Sequence, residues 1–233
     1  NILRKRGCRV GDRLILTKPI GTGALFAADM RAKSRAVCVQ EALQSMMTSN
    51  GVASQVAMKM NLNSDAVVVH ACTDVTGFGL MGHLLEMLVA NDNDNDNNGE
   101  DDDSIQSVGC RLNLHDIPFF QGAIEASAAQ IFSSLQPENH KHAHHQVSNH
   151  KEAIRLDSVR YPLLFDPQTA GGLMFSVDCA HAQRFMELLS AAGVPVVADI
   201  GQIVSYGAND NDDEAAKTES GVCSRTSRKR VFV

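Results

Sequence analysis

The residues best suited to chemistry lie in one glycine-rich stretch, TDVTGFGLMGH, at residues 73–83. Glycines at 77, 79 and 82 permit backbone conformations and close approaches that other residues resist, and free N–H groups where a strand enters a helix favour an anion. Asp74 stands where a buried strand is expected to end, and its carboxylate is a hard oxygen ligand suited to Mg²⁺ beside phosphate groups. The stretch therefore contains the ingredients of a nucleotide–metal site.

The same residues also permit a structural interpretation. Glycine-rich turns are common at strand ends, and Asp74 could cap the following helix. The spacing matches neither the P-loop pattern nor the dinucleotide-binding GxGxxG fingerprint with its downstream acid. His70 and His83 flank the turn, and for each of them a buried, hydrogen-bonded histidine is the favoured interpretation. On the residues alone, both alternatives for Asp74 stay open.

Two further glycine-bearing turns accompany other predicted strands. In TKPIGTG, at residues 17–23, Lys18 could neutralise a phosphate, although a structural role is favoured. In DPQTAGG, at residues 166–172, Asp-Pro initiates a turn and Gly-Gly lets two backbones approach closely. We expect both turns to be mainly structural.

Strand and helix patterns alternate along the chain and supply the elements that hold these turns. Short apolar runs bounded by turn residues predict strands, at residues 13–17, 66–72, 110–114, 163–165, 172–177, 196–204 and 230–233. Apolar residues at three- and four-residue spacing predict helices, at residues 24–30, 38–47, 50–60, 80–88 and 180–189. This order predicts an α+β fold with α/β-type layers, in which helices pack on a mixed β-sheet.

Three polar tracts interrupt this pattern and are predicted to be loop insertions within a single domain that spans residues 1–233. They lie at about residues 91–108, 138–152 and 207–228. The first is acidic and rich in asparagine, a composition that cannot bury enough apolar surface to fold alone. The second is rich in histidine and could bind Zn²⁺ or Ni²⁺, although adventitious binding is the favoured interpretation.

Composition argues against several classes of protein. Among 233 residues, 21 Lys and Arg face 27 Asp and Glu, so the formal net charge of −6 does not indicate a nucleic-acid or anionic-membrane binder. No apolar run approaches the roughly 20 residues of a membrane span, and the start of the sequence lacks the apolar core of a signal peptide. The 6 cysteines are widely spaced without a C-x-x-C pair, which predicts a reducing compartment and a cytoplasmic protein.

Taken in order, the segments TKPIGTG, HACTDVTGFGLMGHLLEM and FDPQTAGGLMFSV resemble the C-terminal domain of selenophosphate synthetases. Residues 116–123 and 200–203 fit the same pattern, so the resemblance covers most of the chain outside the polar tracts. Aminoimidazole ribonucleotide synthetase, the hydrogenase-maturation dehydratase and thiamine-phosphate kinase share the architecture, but their glycine-rich turns read differently. TDVTGFG followed by Gly-His is long and unusual, which makes the resemblance specific.

The resemblance implies an enzyme that converts ATP, selenide and water into selenophosphate, AMP and phosphate. It implies that the nucleotide and its Mg²⁺ ions lie mostly against an N-terminal ATP-binding domain, which supplies a reactive cysteine or selenocysteine, a lysine and several aspartates. Asp74 maps onto the one metal-binding aspartate that the C-terminal domain contributes. No catalytic residue is expected in this chain, because Cys8 and Cys72 do not match the reactive cysteine by position. Cys72 is expected to be a buried structural thiol.

The resemblance leaves alternatives open for the whole protein. We expect this chain to be a fragment without the N-terminal domain, unable to hydrolyse ATP alone and part of a homodimer when full length. A non-catalytic or regulatory paralogue, a related ATP-dependent synthetase and a fusion to another enzymatic domain are the alternatives. The sequence upstream of Asn1 discriminates among them, since a cysteine or selenocysteine followed by lysine favours the enzyme. The expected ligands are ATP and selenide, with neither nucleic acid nor membrane as a partner.

Overall fold

A computed structural model describes residues 2–64, 66–91, 107–205 and 231–233. The strands of these ranges are β1 (Arg13–Leu16), β2 (Val69–Asp74), β3 (Val108–Leu112), β4 (Leu173–Val177), β5 (Ala198–Ser205) and β6 (Val231–Phe232). The α-helices are α1 (Thr22–Asp29), α2 (Ala36–Met47), α3 (Gly51–Leu62), α4 (Gly79–Ala90), α5 (Gln121–Ala128), α6 (Gln136–Ala143), α7 (His150–Leu156) and α8 (Ala182–Ala191). None of the helices in these ranges has the length and apolar character that a membrane crossing requires.

The six strands form one mixed sheet in the order β2-β4-β1-β5-β3-β6, as the predicted fold class requires. All neighbours are antiparallel except β3 and β6, which are parallel. In the register of the sheet, Asp74 of β2 lies opposite Leu173 of β4, and Leu16 of β1 lies opposite Met174. Strands β1 and β2 therefore both end where β4 begins, and the loops that follow them emerge at the same edge.

Helices cover both faces of the sheet because side chains alternate along each strand. Leu14 and Leu16 of β1 pack in one buried cluster with Leu84 of α4. Ile15, between them, packs in a second cluster with side chains of α3 and α8, including Phe185. A third cluster joins α1, α2 and α5 beside the sheet and includes Leu163. The layered arrangement predicted from the sequence is confirmed.

The strand predicted at residues 163–165 is wrong. Tyr161–Phe165 forms a 3-10 helix that carries Pro162 at its start. Leu163 faces the cluster of α1, α2 and α5, whereas Leu164 and Phe165 face the cluster under α4. Three consecutive buried residues imitate a strand buried on both faces, although here they connect two separate cores.

The loop predicted at about residues 138–152 is also wrong, because this histidine-rich tract forms most of α6, a 3-10 turn at His144–Gln146 and the start of α7. The His140 ring stacks on His144 with a centroid distance of 4.7 Å and meets the Phe165 ring edge-on at 4.7 Å. Burial lowers the pKa of His140, and His144 and His150 lower it further, which favours a neutral ring. These helices pack partly through histidine rings, so the sequence lacks the spacing of aliphatic residues from which a helix is predicted. The other two predicted insertions lie largely outside the described residues.

A buried contact between a carboxylate and a histidine joins Asp12, the residue before β1, to β2 and β4. The Asp12 carboxylate lies 2.8 Å from Nδ1 of His70, and both side chains are 3% exposed. It also accepts hydrogen bonds from Ser176 Oγ at 2.6 Å and from the Arg9 N–H at 3.0 Å. The other ring nitrogen of His70 lies 2.9 Å from the Val67 carbonyl oxygen. The prediction of a buried, hydrogen-bonded His70 is confirmed.

His70→Ala is expected to lower the free energy of unfolding by about 3–5 kcal/mol, because it leaves the Asp12 carboxylate buried without its partner. Urea unfolding followed by circular dichroism measures the loss. His181→Ala is the matched control, since His181 pairs with Asp178 at the same 2.8 Å but with half of its side chain exposed. The control should change stability by less than about 1 kcal/mol, and equal losses from both variants would contradict the prediction.

Candidate functional site

The three glycine-rich turns meet at the edge of the sheet where β4 begins. The Val75 N–H, in the turn at residues 74–79, donates to the Gly172 carbonyl at 2.9 Å. The Gln168 N–H, in the turn at residues 166–172, donates back to the Thr76 carbonyl at 3.0 Å. The turn at residues 17–23 joins them, because the Gly23 N–H donates to the Pro167 carbonyl at 3.1 Å. One continuous backbone network therefore holds all three turns.

Two glycines make this approach possible. A Cβ atom on Gly171 would lie 2.0 Å from the Val75 carbonyl oxygen, and one on Gly172 would lie 2.6 Å from the Lys18 backbone nitrogen. Neither distance admits a side chain, so these positions require glycine. The close backbone approach predicted for the Gly-Gly pair is confirmed.

The amide side chain of Gln168 holds the turn at residues 17–23 through hydrogen bonds to its backbone. Its Oε1 atom accepts hydrogen bonds from the N–H groups of Gly21 at 2.8 Å and Thr22 at 3.1 Å. Its Nε2 atom donates to the Asp166 carbonyl at 2.7 Å. Sequence reasoning missed this residue, because a polar amide within a glycine-bearing turn gives no signal that it will be buried.

Asp166, in the turn at residues 166–172, places a buried carboxyl group against the start of α1. Its Oδ2 atom accepts a hydrogen bond from the Ala24 N–H at 3.1 Å, and its Oδ1 atom has no hydrogen-bond partner among the described residues. Burial raises the pKa of Asp166 to about 7, and hydrogen bonds from Ala24, Gly23 and Gln168 only partly offset that cost. From the sequence, Asp166 was expected only to initiate a turn.

Lys18 links two segments of the chain through its buried ammonium group. Its side chain is buried, and Nζ donates to the carbonyls of Thr48 at 2.7 Å and Ala170 at 2.9 Å. Asn50 adds a parallel tie, since its Nδ2 donates to the Gly171 carbonyl at 2.9 Å. Burial lowers the pKa of the Lys18 ammonium group. The favoured structural role of Lys18 is confirmed, and it connects the corner between α2 and α3 to the third turn.

Asp74 has a different environment from the other charged residues of the three turns. It is the last residue of β2 and is exposed, and its carboxylate accepts no hydrogen bond from any residue that the structure describes. Helix α4 begins at Gly79 without a side-chain cap, so the capping alternative for Asp74 is wrong. The N–H groups of Gly77 and Phe78, next along the turn, likewise have no acceptor within the described ranges.

A chain of side-chain contacts ties the 74–79 turn to α4. Nδ1 of His83 lies 3.1 Å from the Glu86 carboxylate, and Nε2 lies 3.1 Å from the Thr76 hydroxyl. Because a carboxylate only accepts, Nδ1 donates to Glu86, whereas the Thr76 hydroxyl can either donate to Nε2 or accept from it. Burial raises the pKa of Glu86, but Lys5 and His83 outweigh it, so the net shift is downward. The prediction of a buried, hydrogen-bonded His83 is confirmed.

The cysteines closest to these elements are poor nucleophiles. Burial raises the pKa of Cys8 and of Cys72 to about 12. The thiolate is the reactive form of cysteine, and at neutral pH these two thiols stay protonated. The high pKa of Cys72, a partly buried thiol, supports the structural role expected for it.

The chemistry of the donor set fits Mg²⁺ through a single ligand. Asp74 offers an exposed hard oxygen ligand next to unpaired backbone N–H groups that suit an anion. Within the described residues, no group of three or more His, Cys, Asp or Glu side chains could hold a metal ion without help. Phosphate oxygens, waters or other protein groups must complete the octahedron that Mg²⁺ demands. The histidine tract gives no support to a metal site, because His140 and His144 stack face to face.

Comparison with known proteins adds a family assignment to this geometry. Residues 9–94 match the family described as AIR synthase related protein, C-terminal domain. The chain is 35% identical over 194 residues to a selenide, water dikinase from Agathobacter rectalis, covering 83% of this chain and 48% of that protein. It is 34% identical over 185 residues to a selenide, water dikinase from Bdellovibrio bacteriovorus, covering 79% of this chain and 46% of that protein. The chain thus spans about half the length of these relatives.

Solved structures support the fold. The chain resembles a crystal structure of the hydrogenase maturation protein HypE with a TM-score of 0.52 and 16% identity, covering 88% of this chain and 48% of that one. The Escherichia coli HypE structure gives a TM-score of 0.51 at 12% identity, covering 88% and 46%. Identities this low show a shared architecture and nothing about chemistry.

Gly171→Ala is expected to lower the free energy of unfolding by about 1–3 kcal/mol, because the added methyl group forces two backbone turns apart. Gly77→Ala is the matched control, since nothing lies within 4 Å of its Cβ position. That change should alter stability by less than about 1 kcal/mol. Thermal and urea unfolding measure both variants, and tolerance of alanine at 171 would contradict the close approach.

Asp166→Asn is expected to alter the pH dependence of stability. The pKa of Asp166 rises on folding from 3.8 to about 7, so the folded state binds the proton more tightly than the unfolded state. The resulting stabilisation is complete below about pH 4 and is lost as the pH rises through about 7. Relative to the variant, the wild type should therefore lose on the order of a few kcal/mol over this window. Urea unfolding at several pH values tests this, and parallel curves would contradict it.

Proposed function

We propose that the chain is the C-terminal part of an enzyme of the selenide, water dikinase family, also called selenophosphate synthetases. In this proposal the complete protein converts ATP, selenide and water into selenophosphate, AMP and phosphate. The identity of about a third to relatives of that name, over most of this chain, supports the reaction. The chain contributes one carboxylate, Asp74, to the site of ATP and Mg²⁺.

The exposed, unpartnered carboxylate of Asp74 is the observation that carries the proposal. The other acidic and basic side chains of the three turns, those of Asp166 and Lys18, form hydrogen bonds with backbone groups of the same chain. Among these three residues, only Asp74 is exposed, and its carboxylate makes no hydrogen bond to any described residue. A charged group with no structural partner, held at the end of a rigid strand, is suited to an external ligand.

Phosphoryl transfer depends on positioning and charge neutralisation more than on covalent help from the protein. When bound, Mg²⁺ neutralises phosphate oxygens and fixes their orientation, and Asp74 is the residue of this chain that would hold it. The N–H groups of Gly77 and Phe78 would favour a phosphate oxygen beside it. The network of the three turns keeps these groups in place, so little reorganisation is required at the moment of reaction.

The remaining chemistry is assigned to the rest of the protein. An N-terminal ATP-binding domain would supply the reactive cysteine or selenocysteine, the lysine and further metal ligands, and the full-length protein would form a homodimer. The high pKa values of Cys8 and Cys72 support this division, because a thiol that stays protonated at neutral pH is a poor nucleophile.

Asp74→Asn in the full-length protein is expected to reduce AMP formation from ATP and selenide by at least about 10²-fold, the typical cost of removing one group that stabilises transition-state charge. Circular dichroism should show an unchanged fold, because the carboxylate of Asp74 makes no hydrogen bond to any described residue. Asp178→Asn is the control, since Asp178 follows the opposite end of β4. Full turnover by a folded Asp74→Asn protein would overturn the proposed role.

A further inference from the structure

One side chain outside the three turns contacts two of the loops that form the site. Nδ2 of Asn139, in α6, donates to the Gly77 carbonyl at 2.9 Å and to the Phe165 carbonyl at 3.0 Å. Gly77 belongs to the turn that follows Asp74, and Phe165 immediately precedes the turn at residues 166–172. The two hydrogens of one amide group therefore bridge two chain segments far apart in sequence.

The peptide at Gly77 depends on this contact. The neighbouring carbonyl, that of Thr76, accepts hydrogen bonds from both Gly79 and Gln168. Gly77 has no side chain, is exposed, and has nothing within 4 Å of its Cβ position. Among the described residues, Asn139 supplies the only hydrogen bond to its carbonyl. The outer half of the turn is thus held by one amide group.

Helix α6 is itself fixed, so the amide is a firm anchor. Gln136, one turn earlier, donates from Nε2 to the Pro162 carbonyl at 3.1 Å. The next residue, His140, meets the Phe165 ring edge-on with a centroid distance of 4.7 Å. These contacts attach α6 to the 3-10 helix at Tyr161–Phe165 on either side of Asn139.

The contact needs a group with two donors. A carboxamide nitrogen carries two hydrogens in a fixed plane and can serve two carbonyls at once. A carboxylate has the same shape but only accepts, so aspartate at 139 would place negative oxygens against two carbonyl oxygens. Alanine would remove the bridge without adding this repulsion.

We propose that Asn139 is a positioning residue for the metal site, acting through the turn that follows Asp74. The inference rests on the proposed function of Asp74 and extends it to a residue of the histidine-rich tract. Mg²⁺ requires near-ideal octahedral geometry, and misplacement of a catalytic group by about 1 Å can cost about 100-fold in rate. Loosening the turn should therefore weaken the response to Mg²⁺ more than it weakens the fold.

The test uses the full-length protein and measures AMP formation with selenide and saturating ATP across a range of Mg²⁺ concentrations. Asn139→Ala should raise the Mg²⁺ concentration for half-maximal rate by about tenfold, the value of one or two hydrogen bonds. Asn139→Asp should raise it further because of the repulsion. Asn149→Ala is the matched control, since Asn149 also uses its amide to bind backbone groups, those of Val233, at the far side of the sheet. The control should keep the wild-type response to Mg²⁺.

Melting temperatures of the same proteins separate positioning from stability. A purely structural role would lower the melting temperature of Asn139→Ala and leave its Mg²⁺ response equal to that of wild type, and this result would overturn the inference. Asp74→Asn, measured alongside, keeps the two proposals distinct. If Asp74→Asn changes the Mg²⁺ dependence of the rate and neither Asn139 variant does, only the role of Asn139 is overturned. If Asp74→Asn leaves the Mg²⁺ dependence unchanged, both proposals are overturned.

Discussion

The hydrogen bond from the Val75 N–H to the Gly172 carbonyl spans a gap between two turns that leaves no room for a side chain at residues 171 and 172. This backbone contact continues the pairing of β2 with β4 beyond the end of the sheet, and it joins the turn that follows β2 to the turn that precedes β4. The turns are linked to one another through peptide groups, and the carboxylate of Asp74 makes no hydrogen bond to any described residue. The close approach at the two glycines thus fixes this edge of the sheet without using the charge of Asp74.

Polar groups at this edge fall into two sets with different roles. Lys18, Asp166 and Gln168 are buried and make their hydrogen bonds mainly to backbone groups of neighbouring turns. The carboxylate of Asp74 and the N–H groups of Gly77 and Phe78 have no such partner among the described residues. This division explains how an architecture shared with HypE at 16% identity can carry chemistry specific to one family.

Sequence reasoning found the parts of the fold that depend on periodicity and glycine, and it missed those that depend on polar packing. The approximate positions of most strands and the TDVTGFG turn were predictable, because short apolar runs and glycine leave direct marks in the sequence, although the ends of β2 and β3 lie about two residues from the predicted ones. The helices of the histidine-rich tract were not, since His140 packs through its ring where an aliphatic residue would reveal the pattern. Likewise, no local signal shows that Asp166 is buried or that Asn139 reaches Gly77, because both contacts depend on segments distant in sequence.

The central claim is that Asp74 holds Mg²⁺ against the phosphates of ATP. A crystal structure of the full-length protein with Mg²⁺ and a non-hydrolysable ATP analogue tests it most directly. The account predicts a carboxylate oxygen of Asp74 about 2.0–2.1 Å from a Mg²⁺ ion that also contacts a phosphate oxygen. Density in which every Mg²⁺ ion is coordinated by other groups, with Asp74 pointing into solvent, would contradict it.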